Sequence, residues 1–142
     1  MEIHLRLSLP RDEVSIPVVR RLCAQAMATL GVEPEVIDDV QLALSEACAN
    51  VLRHTADGVD YDVAVGFDDQ KAWLDVHDRG PGFDASTVAT SKEEAESGRG
   101  LKIMRAVMDK VSFDSGVDRG TTVHLEKYLR WQKGAAVEKL GG

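Results

Sequence analysis

The segment PEVIDDVQLALSEACANVLRH, residues 34–54, decides the fold. Proline fixes a helical φ and gives up an N–H that the first turn does not use, so Pro34 reads as a helix start. Ile37, Val40, Leu44, Ala47 and Val51 then recur three or four residues apart, the spacing of one buried face. Glu46 and Asn50 stand one turn apart on another face, together with Leu42, Ala43 and Ala49. That second face is too apolar and too small for a solvated surface, so something is expected to cover it, a bound ligand among the candidates. Asn50 can lend a neutral oxygen to Mg²⁺, which takes oxygen ligands and usually shares them with phosphates. Glu46 can take a proton from an attacking hydroxyl or water. Taken alone, the pair is more often ordinary helix surface.

Outward from this helix the chain is punctuated clearly. Residues 2–9 alternate, with Ile3, Leu5, Leu7 and Leu9 on one side, and predict a half-buried strand that Pro10 ends. From about Asp12 to Leu30, Val14, Val18, Leu22, Ala26 and Leu30 predict the core stripe of a first helix, with Gly31 as its stop. Residues 60–67 and 71–78 read as two strands around Asp68-Asp69-Gln70. About twenty residues rich in Gly, Pro, Ser, Thr, Ala and Glu follow Asp78, and a stretch of that length in a small domain is expected to be a lid or binding loop. A third helix is expected from about Gly98 to Asp109, with Leu101, Met104 and Met108 on one face, and then strands near 110–116 and 120–128. The order predicts an α+β fold, a two-layer sandwich with helices on one face of a mixed, mainly antiparallel sheet. It is read as one domain over 1–129, with a flexible tail over 130–142.

Composition narrows the function. The 142 residues carry a net charge of −7, which argues against nucleic acid as main partner, since phosphate backbones call for a basic face. No run approaches the length of a membrane span, and the N-terminus lacks the pattern of a signal peptide. The only cysteines, Cys23 and Cys48, fall among apolar helical residues and are read as small core side chains. A reducing, cytoplasmic setting is expected. His4, His77 and His124 lie in strands without metal-ligand spacing.

Two glycine blocks accompany the helix. Asp78-Arg79-Gly80-Pro81-Gly82-Phe83 puts a carboxylate at a strand end, before glycines that permit close backbone approach. Such a carboxylate can accept a hydrogen bond from an amino group like that of adenine; a plain turn is the competing reading. Gly98-Arg99-Gly100-Leu101 is expected to open a helix whose free amides suit phosphates, with Arg99 or Lys102 adding charge. A flexible hinge is the competing reading. Gly120-Thr121-Thr122 begins the last strand, where the Thr122 hydroxyl could supplement Asp78. Neither a Walker P-loop nor a dinucleotide fingerprint is present.

In this order the blocks resemble the Bergerat ATP-binding module of gyrase, histidine kinases and MutL, over about residues 35–126. Ser45-Glu46-Ala47 leading to Asn50 and His54, with Gly100-Leu101-Lys102-Ile103-Met104, resembles most the bacterial anti-sigma-factor serine/threonine kinases. The resemblance implies Glu46 as general base and Asn50 as the Mg²⁺ ligand. It implies Asp78 at the adenine amino group, with Gly80, Gly82 and Thr122 in or near that pocket. Gly98, Arg99, Gly100 and Leu101 would close over the phosphates, with an ATP lid at about 84–98. It implies an anti-anti-sigma factor as protein substrate and an RNA polymerase sigma factor as the sequestered partner. A homodimer is left open, since no dimer seam is legible, and so is a place near the substrate for His54 or for Arg20 and Arg21 at a partner face. The alternative is a non-catalytic module that regulates a partner by sequestration, with nucleotide structural or absent. The catalytic half of a two-component histidine kinase would need a helical segment with a phosphoacceptor histidine, which does not precede the first strand. A gyrase-like or MutL-like ATPase would need a further transducing domain.

Overall fold

Strict alternation of apolar and polar residues builds a sheet with one dry and one wet face. The computed structural model describes residues 1–54, 60–78, 92–116 and 120–136. Its strands are β1 (Glu2–Leu9), β2 (Tyr61–Asp68), β3 (Lys71–Asp78), β4 (Lys110–Gly116) and β5 (Gly120–Tyr128), arranged in the order β1-β2-β3-β5-β4. The sheet, expected to be mixed and mainly antiparallel, is antiparallel at all four of these pairings. For β1 and β2 the reason is the helical hairpin between them. Helices α1 (Ser15–Leu30) and α2 (Pro34–His54) carry the chain out and back, so β2 starts opposite the end of β1, with Tyr61 paired to Leu9.

The dry face carries Tyr61, Val63, Val65 and Phe67 of β2, Ala72, Leu74 and Val76 of β3, and Val123 and Leu125 of β5, all buried. Val40, Leu44, Ala47 and Val51 of α2 pack onto it, with Ile37 at the margin, so the predicted stripe of α2 is the observed one. Cys23 and Cys48 lie in the same core, and burial pushes both thiols up to about 12.

The stripe of α1 is displaced by one residue. Ser15, Val19, Cys23, Met27 and Leu30 are buried, whereas Val14 is 62% exposed and Val18 and Leu22 are each 46% exposed. Two apolar stripes one residue apart share the same periodicity, and the sequence cannot rank them. The deciding contact is polar: the Ser15 hydroxyl shares a hydrogen bond with the buried Tyr61 hydroxyl and donates to the Asp12 carbonyl at 2.7 Å. Gly31 ends α1 with φ 95°, its N–H donating to Met27 and Ala28 carbonyls.

Two boundaries also differ from expectation. The third helix, α3, spans Lys92–Val107 and so begins six residues before Gly98. The tail is not loose at residue 130: Glu33 N–H donates to the Arg130 carbonyl at 2.8 Å, Val32 forms a β-bridge with Trp131, and Ala135 is buried. Trp131 Nε1 also donates to the Asp69 carbonyl at 2.8 Å. These contacts close the tail against the α1–α2 turn through Ala136; residues 137–142 lie outside the described residues.

Candidate functional site

Asp78 is the last residue of β3 and lies on its dry side, 1% exposed, because it keeps phase with Leu74 and Val76. Arg11, on the loop between β1 and α1, reaches it: Nη2 donates to Asp78 Oδ1 at 2.7 Å, and Nη1 donates to the Val51 carbonyl at 3.0 Å. One guanidinium thus ties the strand end to the turn of α2 that carries Asn50. Asn50 is buried, and Glu46 is partly buried one turn earlier.

Helix α3 covers the other end of this face. Gly100 is buried, and a Cβ added there would stand 2.9 Å from Glu46 Oε2 and 3.7 Å from Arg53 Nη2. A side chain at this position would require the flexible Glu46 carboxylate to shift, so α3 and the carboxylate are in close contact here. Gly98 and Arg99 are exposed, a Cβ on Gly98 would meet nothing, and Leu101 is partly exposed. The expectation that Gly98 opens the helix is corrected here: both glycines lie within α3, beyond its first turn, where amides are engaged in the helix's own ladder rather than free.

Gly120 shows the tightest approach. Its φ is 73°, and a Cβ would fall 2.0 Å from the Asp78 carbonyl oxygen. The start of β5 is thereby pressed against the end of β3, with Thr121 paired to Asp78 and Thr122 to His77. Pleat alternation then separates the two threonines. Thr121 is buried on the Asp78 side, whereas Thr122 faces the wet side, its hydroxyl 2.7 Å from His77 Nδ1. Contrary to expectation, Thr122 lies on the side of the sheet away from the Asp78 carboxylate, and Thr121, in phase with Val123 and Leu125, lies on the Asp78 side.

Gly80 and Gly82 lie outside the described residues, as does the expected lid over 84–91, while its remainder over 92–98 belongs to α3. The His54 side chain also lies outside them. Among the described residues, then, Gly100 lies beside Glu46, Asn50 stands one turn further along α2, and Asp78 is tied to α2 through Arg11 and the Val51 carbonyl, while Thr122 lies on the other side of the sheet. Sequence reading missed Arg53, which stands seven residues after Glu46 and so on the same face, and Arg11, whose partner is 67 residues away.

The family profile described as Histidine kinase-like ATPase domain matches residues 9–127. This chain belongs to that family. Among curated relatives of this ATPase domain, the anti-sigma F factor of Bacillus velezensis is 32% identical, covering 93% of this chain and 95% of the relative. The anti-sigma F factor of Bacillus subtilis is 31% identical with the same coverage. The serine-protein kinase RsbW of Bacillus pumilus is 28% identical over 91% of this chain and 88% of its own length. Among solved structures, the RsbU and RsbW domains of a Mycobacterium tuberculosis protein superpose with a TM-score of 0.68 at 22% identity, covering 90% of this chain. This chain spans 33% of that longer structure, and the likeness carries the fold. The α+β architecture read from the sequence is thus the ATPase-domain architecture.

The donor set fits a phosphate-bearing nucleotide. A buried carboxylate beside a close-packed strand end can accept from an amino group, and a buried amide and a half-covered carboxylate lie one face away. Among the described residues no group of three or more His, Cys, Asp or Glu side chains could hold a metal ion alone. A hard cation would share its ligands with phosphate oxygens, as Mg²⁺ commonly does.

Proposed function

We propose that this chain is an ATP-dependent protein serine/threonine kinase and anti-sigma factor. It transfers the ATP γ-phosphate to a serine or threonine hydroxyl of an anti-anti-sigma factor, and it sequesters an RNA polymerase sigma factor. The observation that supports the reading is that α2 links the distant blocks: Gly100 lies beside Glu46, and Arg11 ties Asp78 to the Val51 carbonyl next to Asn50. The names of the relatives favour the same activity and partners.

In this reading Asp78 accepts from the adenine amino group, and Thr121 lies beside it. Asn50 takes part in holding Mg²⁺, which supplies charge neutralisation at the phosphates when bound. Glu46 is the general base: its carboxylate orients the attacking hydroxyl and accepts its proton as the oxygen takes the phosphoryl group, ADP leaving. The absence of a side chain at Gly100 leaves the Glu46 carboxylate room on this side. The reading puts the α3 segment Gly98-Arg99-Gly100-Leu101 near the phosphates through its Arg99 side chain and the close contact of Gly100 with Glu46 rather than through free amides, and it assigns Gly80 and Gly82 to the base pocket. No helix among the described residues is long and apolar enough to cross a membrane, and a cytoplasmic setting is part of the proposal.

The test is label transfer from γ-labelled ATP with Mg²⁺ to a purified anti-anti-sigma protein. Glu46→Gln is expected to lower transfer by at least about a hundredfold, the lower range for a positioned base, while ATP binding persists. Transfer at the wild-type rate in that variant removes Glu46 from its role. Absence of transfer by the wild type, with sigma binding intact, replaces the kinase with a sequestering module.

A further inference from the structure

The strand ladder fixes where Asp78 sits but not where its carboxylate points. Its backbone lies between Tyr61 on β2 and Thr121 on β5, and Gly120 leaves no room for a Cβ beside its carbonyl. The side chain is met by Arg11, 6% exposed, whose guanidinium is held at two points, Asp78 Oδ1 at 2.7 Å and the Val51 carbonyl at 3.0 Å. The turn that carries Arg11 is itself braced. Asp12 N–H donates to the Pro10 carbonyl at 2.8 Å, Val14 N–H to Asp12 Oδ1 at 3.0 Å and Ser15 N–H to the Asp12 carbonyl at 2.9 Å. Arg11 also stands outside the blocks, over residues 35–126, from which the nucleotide reading comes.

A carboxylate paired with a guanidinium is an acceptor only, and its two oxygens take more than one donor. Adenine carries an amino group at position six, which donates, whereas hypoxanthine and guanine carry an oxo group there, which accepts. The neighbouring ring nitrogen has the reverse pattern: it accepts in adenine and donates in the 6-oxo purines. A carboxylate free to shift by one atom would therefore serve either kind of base, and only a fixed one chooses. We infer that Arg11 is the positioning residue for base selection: its fork holds the Asp78 carboxylate where it takes a 6-amino purine and refuses a 6-oxo purine. Lysine would not do the same, because a single point charge on a flexible stem cannot grip a carboxylate and a carbonyl in one rigid plane. The inference rests on the nucleotide reading and adds to it the residue on which the choice of base depends.

The test is calorimetric titration of the full chain with Mg²⁺-ATP and Mg²⁺-ITP, which differ along that edge of the base alone. Each variant is titrated at a temperature where its own melting curve shows it folded. Wild type is expected to prefer ATP about tenfold or more, the worth of a hydrogen bond to a charged group, and Arg11→Met to lower that ratio below about threefold. The ratio for Arg11→Lys is expected to fall between, and this variant carries the test on its own should Arg11→Met fail to fold. A merely structural role would weaken ATP and ITP binding by the same factor and leave their ratio unmoved.

An unchanged ratio in the folded Arg11 variants would overturn the inference, and loss of the ATP preference in Asp78→Asn would show that the nucleotide reading survives it. Wild type binding ATP and ITP equally would overturn the inference together with the adenine contact of Asp78, while leaving a nucleotide site. Failure of wild type to bind either ligand would overturn the nucleotide reading as well.

Discussion

Replacing Arg11 with methionine should destabilise the protein more than its place in a short loop suggests. The Arg11 and Asp78 side chains are only 6% and 1% exposed, and Nη2 and Oδ1 are 2.7 Å apart. Removing one partner of a buried pair costs about 3–5 kcal/mol, because the remaining charge stays desolvated. Loss of the bond to the Val51 carbonyl adds about 1 kcal/mol. Further contacts of Asp78 offset part of this, so about 4 kcal/mol is expected in total. That is a large share of the 5–15 kcal/mol that typically holds a domain together. At roughly 3–5 °C per kcal/mol for a chain of this size, the melting temperature should fall by about 12–20 °C. The assay is thermal and urea unfolding of Arg11→Met, Asp78→Asn and the double variant, with coupling of about 2 kcal/mol or more expected from the cycle. Arg11→Met with Asp78→Leu should recover most of the loss, since an apolar pair leaves no charge buried. A fall of less than about 3 °C in Arg11→Met, with coupling near zero, would refute the reasoning and mean that the pair does not hold the strand end to α2.

Gly120→Ala should cost about 3 kcal/mol or more in urea unfolding: a left-handed φ of 73° is unfavourable by about 1–2 kcal/mol for alanine, and the Cβ would meet a backbone oxygen that cannot swing aside. A loss below about 1 kcal/mol would mean that β3 and β5 separate easily at this end. The wet face of the sheet should show a pH optimum. Hydrogen bonding from Lys71, then from His124, holds Glu126 down to about 2, so its contribution is complete above its ordinary 4.5 and fades as pH falls toward 2. Burial alone would lower His124, but its hydrogen bonds to Glu126 and Asp75 raise it above the ordinary 6.5, so that contribution is complete below 6.5 and is lost as pH rises through the raised value. The difference in melting temperature between wild type and Glu126→Gln should therefore be largest between pH 4.5 and 6.5, and a flat difference would show that the network does not form in solution.

Elements governed by one local rule were legible in the sequence, and those settled by distant contacts were not. The bounds of β3 follow from its apolar run between turn residues and the buried stripe of α2 from helical spacing, and both are as predicted. The α1 stripe was not, because Val14-Val18-Leu22 and Val19-Cys23-Met27 have equal spacing and a hydrogen bond to Tyr61, 46 residues on, chooses between them. The start of α3 was placed at Gly98 because the stretch before it reads as a loop, yet the helix runs from Lys92 through a glycine that costs about 1 kcal/mol relative to alanine. Packing against α2 offsets that cost. In the site, Glu46, Asn50 and Asp78 were visible as types at recognisable spacings. Arg11 was not, since nothing near residue 11 announces a partner in β3, and Thr121 was passed over for Thr122 because strand phase was not applied to the motif.

Departures from local rules serve the fold in some places and border the candidate site in another. Gly31 takes a left-handed φ of 95° where the tail closes on the α1–α2 turn, and Gly66 leaves room for the Trp73 ring. Gly120 takes a φ of 73° with no space for a Cβ beside the Asp78 carbonyl, at the strand end that Arg11 ties to α2. A position that favours glycine, beside a buried carboxylate gripped by one guanidinium, keeps Asp78 fixed in place, and a fixed carboxylate is what the proposed acceptor of an adenine amino group requires.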